Sequence, residues 1–382
     1  MPFLNDMLAD TERRRRDTEA LRAETLSAED VANAHRASGN GGFDSRFRFD
    51  VDLIASHLQR EIIGQPDAVN AVIDMLRIVR ADIADPRRPL YTSLLMGPTG
   101  VGKTEMVRVL ARSIHGDADA LCRVDMNTLS QEHYAAAISG APPGYVGSKE
   151  GRTILDQDKI EGSADKPGIV LFDELEKASP EVVLSLLNIF DNGVLVTASG
   201  ERTYSFRNAI IFMTSNLGAE ELRREAERDD KAWYRLLPRY GGRRERVRAI
   251  AQKALLKKFP PEFVNRIDHV DVFNWIDRAD VETLILLEVD KLNRRLARHR
   301  CRIELAPSLR EHIGKEGFDR QFGARSLRRA VRRFVEIPFA KYYLGSPASA
   351  DEETKDFIAE YRHGEVIFLK EIIQGKSEYG PN

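Results

Sequence analysis

The segment GPTGVGKT, from Gly97 to Thr104, combines glycines, a lysine and a hydroxyl residue at the spacing of a phosphate-binding loop. Glycines let backbone N–H groups close around phosphate oxygens, and the following helix adds its N-terminal partial positive charge. Lys103 is expected to reach the β- and γ-phosphates, and Thr104 to ligate Mg²⁺. We therefore predict ATP and Mg²⁺ as ligands of Gly97, Pro98, Thr99, Gly100, Val101, Gly102, Lys103 and Thr104.

Two further strand ends carry polar side chains suited to the same reaction. The run IVLFDE places Asp173 and Glu174 directly after an apolar strand. Asp173 is predicted to hold Mg²⁺ through water, and Glu174 to orient and activate the attacking water. The run FMTSN ends in Asn216, which either hydrogen-bonds the γ-phosphate or the water, or serves only as a cap or turn residue.

The elements that must position these side chains are short apolar runs separated by helical patterns. Such an alternation is typical of an α/β fold with a parallel sheet covered on both faces. The predicted strands are Ser93–Met96, Leu121–Met126, Ile169–Phe172, Ala209–Thr214 and Val270–Phe273. Pro66 is expected to open one helix, and another is expected to begin near Lys103 with an apolar face.

Changes in composition and hydrophobic pattern along the sequence predict four segments. Residues 1–48 form a polar helix and linker, and residues 49–275 form the large ATPase domain. Residues 276–374 form a second, smaller, mainly helical α+β domain with strand candidates at Cys301–Leu305 and Glu365–Leu369, and residues 375–382 form a tail. The length of the small domain is sufficient for an independent unit.

Composition narrows the class of partner and the compartment. The formal net charge of −2 argues against nucleic acid or an acidic membrane as the partner. The run Arg13–Arg16 is flanked by acids without interleaved aromatics, which favours a solvated helix face over nucleic-acid contact. The chain has two cysteines and no apolar run of the ~18 residues that a membrane helix needs, so we expect a cytoplasmic protein.

Several ordered motifs, spread over residues 50–370, resemble the AAA+ ATPases of the Clp unfoldase and disaggregase family. The similarity is greatest to the second ATPase module of the two-ring Clp and heat-shock disaggregases. The motifs are IIGQPDAV, ADPRRPL, GPTGVGKTE, GAPPGYVG, LFDELEKASP, FRNAIIFMTSNLG, FPPEFVNRID and FGARSLRRAV. The resemblance implies a five-stranded parallel sheet between helices, followed by a small lid domain.

The resemblance also implies roles for residues that the pattern alone leaves unplaced. Ile62 and Ile63 lie where the family lines the adenine pocket. Arg266 corresponds to the arginine finger, which acts on the nucleotide of the neighbouring subunit, and Arg325 to the sensor-2 arginine of the lid. An arginine supplied by another chain requires a head-to-tail interface, and the family closes such interfaces into a ring of six.

The loop APPGYVG places Tyr145 and Val146 between two glycines. The aromatic side chain of Tyr145 either packs into its own domain or contacts another molecule, and the flanking glycines favour a mobile loop. The resemblance identifies GYVG as a substrate-gripping pore loop, so the implied function is an ATP-dependent protein unfoldase or remodelling chaperone that threads polypeptide through a single-layer ring. Apolar and aromatic contacts suit any translocated chain because they are non-directional.

Departures from the family pattern qualify this function. Ser148 and Lys149 follow GYVG where the family often has an aromatic and acids, which predicts a less aromatic, more basic grip. No glycine between Leu217 and Phe259 follows an isoleucine, so the tripeptide of protease-partnered relatives is missing and we expect no docking to the Clp peptidase. The basic segment Gly241–Arg248 is either a partner site or a solvated loop.

Three other functions remain as alternatives at this stage. One is the ATPase subunit of a protease, or of a specialised secretion or complex-disassembly system. Another is an AAA+ machine on nucleic acid, which the net charge disfavours. A non-hydrolysing scaffold would need a degraded site, yet every expected residue is present. An unknown adaptor could bind the N-terminal segment.

Overall fold

A computed structural model describes residues 45–129, 154–197, 203–230, 243–345 and 355–370. The described residues from Arg46 onward belong to one compact unit. The predictions made for Arg13–Arg16 and for Tyr145 and Val146 lie outside the described residues. Within the described part, no helix has the length and apolar character needed to cross a membrane.

The centre of the unit is a five-stranded parallel sheet. Its strands are β1 (Tyr91–Met96), β2 (Cys122–Asp125), β3 (Gly168–Asp173), β6 (Ala209–Ser215) and β7 (His269–Val272). They lie in the order β2-β3-β6-β1-β7. The short antiparallel pair β4 (Val194–Val196) and β5 (Thr203–Ser205) stands apart from them. The predicted parallel sheet is confirmed. The β4–β5 pair was not predicted.

Helices cover the sheet, as the alternating pattern predicts. Those that precede the small domain are α1 (Val51–Glu61), α2 (Pro66–Arg80), α3 (Lys103–His115), α4 (Gln157–Glu161), α5 (Pro180–Asn192), α6 (Ala219–Asp230), α7 (Arg243–Lys258) and α8 (Pro261–Val264). Helix α2 begins at Pro66, as predicted. Helix α7 corrects the loop alternative for the described part of the basic segment: Arg243–Arg248 is helical, and Arg246 pairs with Glu225 of α6 at 2.6 Å.

The remaining described residues form a mainly helical region with a second sheet. It contains α9 (Val281–Leu296), β8 (Cys301–Leu305), α10 (Pro307–Gly317), α11 (Ala324–Val331), α12 (Ile337–Gly345), β9 (Lys355–Arg362) and β10 (Glu365–Lys370). Strand β8 pairs in parallel with β9, and β9 pairs antiparallel with β10. The predicted small α+β domain is therefore confirmed in class, although the sequence did not indicate β9.

Two apolar clusters lie on the two faces of the parallel sheet. One contains Leu95 and Phe212, and the other contains Leu94 and Met213. Because side chains alternate along a strand and both faces are covered, β1 and β6 are apolar along most of their length. The first cluster continues into the small region through residues such as Leu327. The sheet and the small region thus share one continuous core.

Register brings the carboxyl ends of the strands to one edge. Met96 pairs with Ser215, and Asp125 pairs with Asp173. The residues that follow β1, β3 and β6 therefore emerge side by side, which is where open α/β sheets bind ligands.

Candidate functional site

The loop from Gly97 to Gly102 needs its glycines for both conformation and space. Gly97 has φ +138°, and a Cβ there would lie 2.7 Å from the carbonyl oxygen of Phe273. Gly100 has φ +79°, and its Cβ would lie 2.2 Å from the carbonyl oxygen of Phe322. A side chain at either position would clash with backbone, so the loop can keep this path only with glycine.

Lys103 begins helix α3 and points back into the loop. Its side chain donates from Nζ to the carbonyl oxygens of Gly97 at 2.5 Å and Pro98 at 2.7 Å, and to Oδ1 of Asn216 at 2.9 Å. Burial lowers the pKa of Lys103 to about 8, against the opposing effect of nearby Glu176 and Asp173. The ammonium is surrounded by oxygen acceptors, the environment that phosphate oxygens also provide.

Asp173 ends β3 and accepts hydrogen bonds from three side chains. Its Oδ1 accepts from the hydroxyl of Thr214 and, at 3.4 Å, from that of Thr104, while Oδ2 accepts from Arg123 at 2.6 Å. The Asp173 side chain is 10% exposed, whereas that of Arg123 is 52% exposed. Neither Arg123 nor Thr214 was predicted, because their partner lies on a neighbouring strand.

The oxygens of Asp173 and Thr104 fit Mg²⁺, which prefers hard oxygen ligands and takes few from the protein when nucleotide phosphates supply others. Within the described residues, no group of three or more His, Cys, Asp or Glu side chains could hold a metal ion by itself.

Glu174 follows Asp173 in a left-handed backbone conformation, with φ +58° and ψ +49°. Its N–H donates to the Thr214 hydroxyl at 3.0 Å, and its carbonyl accepts from Lys177 at 2.9 Å. This conformation costs a non-glycine residue ~1–3 kcal/mol, and such strain is found most often at functional sites. The structure thus places Glu174 at the same edge of the sheet as the phosphate loop, in a strained backbone conformation.

Asn216 follows β6, and its side chain lies in the site rather than capping a helix. Oδ1 accepts from Lys103 and, at 3.5 Å, from the hydroxyl of Thr99. The backbone N–H and Nδ2 both donate to Oε1 of Glu176, at 3.3 and 3.2 Å. Glu176 was not predicted, although it stands two residues after Glu174 in the same motif.

The predicted adenine-pocket residues lie at the end of helix α1. Ile62 is buried and belongs to the apolar cluster that also contains Val101 of the phosphate loop, and the half-buried Ile63 packs against that cluster. Their environment is apolar, as a purine ring requires.

Arg325 reaches the phosphate loop from the small region. The N–H of Ala324 donates to the carbonyl oxygen of Gly100 at 2.9 Å. Cγ of Arg325 lies 3.6 Å from the position that a Cβ on Gly100 would take. The positive charge of Arg325 also contributes to the lowered pKa of Lys103. The structure therefore places Arg325 next to the phosphate loop, and its role as the sensor-2 arginine stays a prediction.

Arg266 is not brought to the phosphate loop of its own chain. Its side chain pairs with Asp191 near the end of α5, and its carbonyl accepts from the Thr92 hydroxyl at 3.2 Å. Thr92 lies at the beginning of β1, whereas the phosphate loop follows Met96 at the other end, about 13 Å away for four residues of strand. Within this chain, Arg266 is thus separated from the nucleotide site.

Two family profiles match the chain in succession. The AAA domain (Cdc48 subfamily) matches residues 88–270, which include the phosphate loop, Asp173, Glu174, Asn216 and Arg266. The C-terminal, D2-small domain of ClpB protein matches residues 276–357, which include Arg325.

Individual relatives agree with the profiles. A Pseudomonas aeruginosa protein named ATP-dependent protease ATP-binding subunit-like protein AmiB is 56% identical over 371 residues, which cover 97% of this chain and 100% of the relative. A Rhodococcus erythropolis protein named ATP-dependent protease ATP-binding subunit-like protein is 41% identical over 89% of this chain and 91% of the relative. The ATP-dependent Clp protease ATP-binding subunit ClpC of Staphylococcus epidermidis is 37% identical over 78% of this chain, but the match spans 36% of that relative.

Proposed function

The chain belongs to the Clp-type AAA+ ATPases with a ClpB-type small domain, and from this membership we propose that it is a protein unfoldase or remodelling chaperone that threads polypeptide through a single-layer ring of six copies. That it is an ATPase follows from the family itself. The protein substrate, the number of subunits and a cytoplasmic location belong to the proposal.

The observation that carries the proposal is the direct contact between the small region and the phosphate loop. Ala324 is hydrogen-bonded to Gly100, and Lys103 is hydrogen-bonded to Gly97 and Pro98 of the same loop. Phosphate oxygens only accept hydrogen bonds, so on binding this loop they would draw Lys103 away from the carbonyl oxygens of Gly97 and Pro98. A nucleotide that changes the conformation of this loop would act on the small region through the hydrogen bond from Ala324 to Gly100, and movement of this region is what a translocating ring needs.

Each residue of the site has a chemical task in hydrolysis. Lys103 binds the phosphates, and Glu174 accepts a proton from the attacking water while Asn216 orients the reactants. Asp173 and Thr104 would hold Mg²⁺, which neutralises charge on the phosphates when it is bound.

The position of Arg266 supports the ring. An arginine that stabilises the charge on transferring phosphate is worth ~10³–10⁵ in rate. Because Arg266 lies at the opposite end of β1 from its own phosphate loop, we assign it to the nucleotide of a neighbouring copy. A contact of this head-to-tail kind closes into a ring when the rotation between copies permits. A chain that stayed monomeric in analytical ultracentrifugation with ATP and Mg²⁺ would exclude this assembly.

The decisive test of substrate threading is Tyr145→Ala. We expect ATP hydrolysis to persist, while unfolding of a tagged fluorescent protein is lost, because Tyr145 and Val146 are assigned to gripping the substrate. Tyr145→Phe is the matched control, since it keeps the aromatic side chain and should therefore retain the ability to unfold the substrate. Unfolding at the wild-type rate by Tyr145→Ala would exclude the pore-loop assignment.

A second function, the ATPase subunit of a protease, is favoured by the names of the relatives in Pseudomonas, Rhodococcus and Staphylococcus. The missing isoleucine–glycine tripeptide between Leu217 and Phe259 argues against the Clp peptidase as its partner. Degradation of a folded substrate by a mixture of this chain, ATP and Clp peptidase would overturn that argument. A secretion or complex-disassembly role, with an adaptor on residues 1–48, would instead leave the unfolded substrate intact.

A further inference from the structure

Glu176 has a set of contacts that the motif residues around it do not explain. It lies in the single turn Leu175–Lys177, two residues after Glu174. Its Oε1 accepts both from the backbone N–H of Asn216 at 3.3 Å and from Nδ2 of the same residue at 3.2 Å. One carboxylate oxygen thus holds the main chain and the side chain of Asn216 together.

This contact decides which way the Asn216 amide faces. An amide has an acceptor oxygen on one side and a donor nitrogen on the other. Lys103, which can only donate, lies 2.9 Å from Oδ1, and Glu176, which when ionised can only accept, lies 3.2 Å from Nδ2. A flipped amide would set donor against donor and acceptor against acceptor. Only one orientation satisfies both neighbours.

The orientation has a consequence for hydrolysis. The NH₂ group of an amide carries two donors, and Glu176 takes one of them. The second remains for a phosphate oxygen or the attacking water. If the amide flipped, the oxygen would take its place and could not donate to an anionic phosphate.

The other oxygen of Glu176 indicates that the residue is not present for stability alone. Oε2 is buried and has no hydrogen-bond partner among the described residues. A buried carboxylate oxygen without a donor carries a desolvation cost. Glu176 also has the largest charge effect among the acids that act on the pKa of Lys103. A residue kept at a cost inside an active site is a candidate for a functional role.

We propose that Glu176 is a positioning residue for ATP hydrolysis, which fixes the Asn216 amide with Oδ1 toward Lys103 and Nδ2 available to the reaction. The inference rests on the proposed role of Asn216. It assigns to Glu176 no contact with ATP itself.

The first experiment compares Glu176→Ala with Glu181→Ala in the full chain. Glu181 is an exposed glutamate in the first turn of α5, outside the site. Loss of a charge-assisted hydrogen bond to the amide is expected to lower kcat by roughly 10- to 100-fold. The KM for ATP should change by less than about threefold, because Glu176 is not assigned any contact with ATP in the ground state. The melting temperature should stay close to that of the wild type, and Glu181→Ala should match the wild type throughout. A merely structural role would instead lower the melting temperature and spare kcat, and that result would overturn the proposal.

The second experiment is a partial rescue by the conservative variant Glu176→Gln. The side-chain oxygen of glutamine can still accept from the backbone N–H and from Nδ2 of Asn216, but it carries no negative charge. We expect Glu176→Gln to exceed Glu176→Ala in kcat by at least about threefold, because a neutral hydrogen bond is weaker than a charge-assisted one but still orients the amide. Equal losses of kcat in the two variants would overturn the proposal.

Asn216→Ala separates a failure of the inference from a failure of its premise. Wild-type turnover in Asn216→Ala would refute the role of Asn216 itself. Impaired turnover in Asn216→Ala together with wild-type turnover in Glu176→Ala would refute only the positioning role.

Discussion

Gly323 lies where the small region contacts the phosphate loop, and Gly323→Ala should weaken nucleotide binding without removing any side chain from the site. Gly323 has φ +53° and ψ −137°, a conformation that residues with a Cβ rarely adopt. A Cβ built there would lie 2.7 Å from the carbonyl oxygen of Gly100 and 3.0 Å from its carbonyl carbon. Both are backbone atoms of a tight loop, so the alanine fits only if the two segments separate.

The magnitude follows from the strain that alanine would add to the docked state. The backbone conformation would cost alanine ~1–3 kcal/mol. The hydrogen bond from Ala324 to Gly100 is lost on undocking in the wild type as well, so it does not add to this difference. The strain shifts the docked equilibrium by roughly 5- to 150-fold, at 1.4 kcal/mol per factor of ten. Since Arg325 follows Gly323 by two residues, undocking withdraws it, and we expect the nucleotide Kd to rise by about tenfold.

The assay is a fluorescence anisotropy titration of a labelled ADP analogue against four proteins: wild type, Gly323→Ala, Arg325→Ala and the double variant. If the strain acts through Arg325, Gly323→Ala should add little to Arg325→Ala. Gly314→Ala is the matched control: Gly314 lies within helix α10, and its Cβ would lie 3.6 Å from Cγ1 of Val281 in α9, an ordinary van der Waals contact. That variant should keep the wild-type affinity and gain up to about 1 kcal/mol of stability from helix propensity.

Two results would refute this reasoning. Wild-type affinity in Gly323→Ala would show that docking of the small region does not govern nucleotide binding. A full tenfold loss that persists in the Arg325→Ala background would show that Arg325 does not carry the effect.

The ion pair that Arg123 forms with Asp173 competes with a metal ion for the same carboxylate. Arg123→Gln should therefore lower, by about threefold, the Mg²⁺ concentration that half-saturates ATP binding in a metal titration. A higher Mg²⁺ requirement in the variant would contradict this competition. Arg266→Ala should preserve ADP affinity and abolish turnover, and in mixtures turnover should fall more steeply than the wild-type fraction, whereas a linear fall would contradict action on a neighbour. The hydrogen bond to Asp271 raises the pKa of His269 above its ordinary 6.5. Stability from this half-exposed pair, about 0.5 kcal/mol, is therefore full below pH ~6.5 and lost as pH rises through the raised pKa; His269→Asn should lower the melting temperature more at about pH 5.5 than at about pH 8.5, and an equal loss at both would contradict the assignment.

The parallel strands were predictable because they are buried on both faces. Strand β3 was predicted as Ile169–Phe172 and spans Gly168–Asp173. Strand β9 was missed because its apolar run, Phe357–Ala359, is only three residues long and is flanked by charged residues. The three-residue strands β4 and β5 are too short for any period to be read from them.

The motif residues of the site were predictable for a different reason. Phosphate chemistry fixes the spacing of glycines, lysine and hydroxyl, so Lys103 and Thr104 can be read from the sequence alone. Arg123, Glu176 and Thr214 were missed because each acts on a side chain of another strand or turn. Which side chains face one another across parallel strands depends on register, and register is set by the whole sheet.

The phosphate loop contacts both a residue assigned to ATP hydrolysis and the small region proposed to move. Its carbonyl oxygens bind Lys103 at one end and Ala324 of the small region further along, while Lys103 is itself joined through Asn216 to Glu176. A ligand that draws Lys103 away from these carbonyls changes the hydrogen bonding of Gly97 and Pro98, which lie three and two residues before the Gly100 carbonyl that accepts from Ala324. If a nucleotide has different affinities for the states with the small region docked and undocked, it must by thermodynamic reciprocity also shift the equilibrium between those states. A change of bound nucleotide would then move the small region. A hydrolysing site built on a separate loop from the one the small region touches would have no such link.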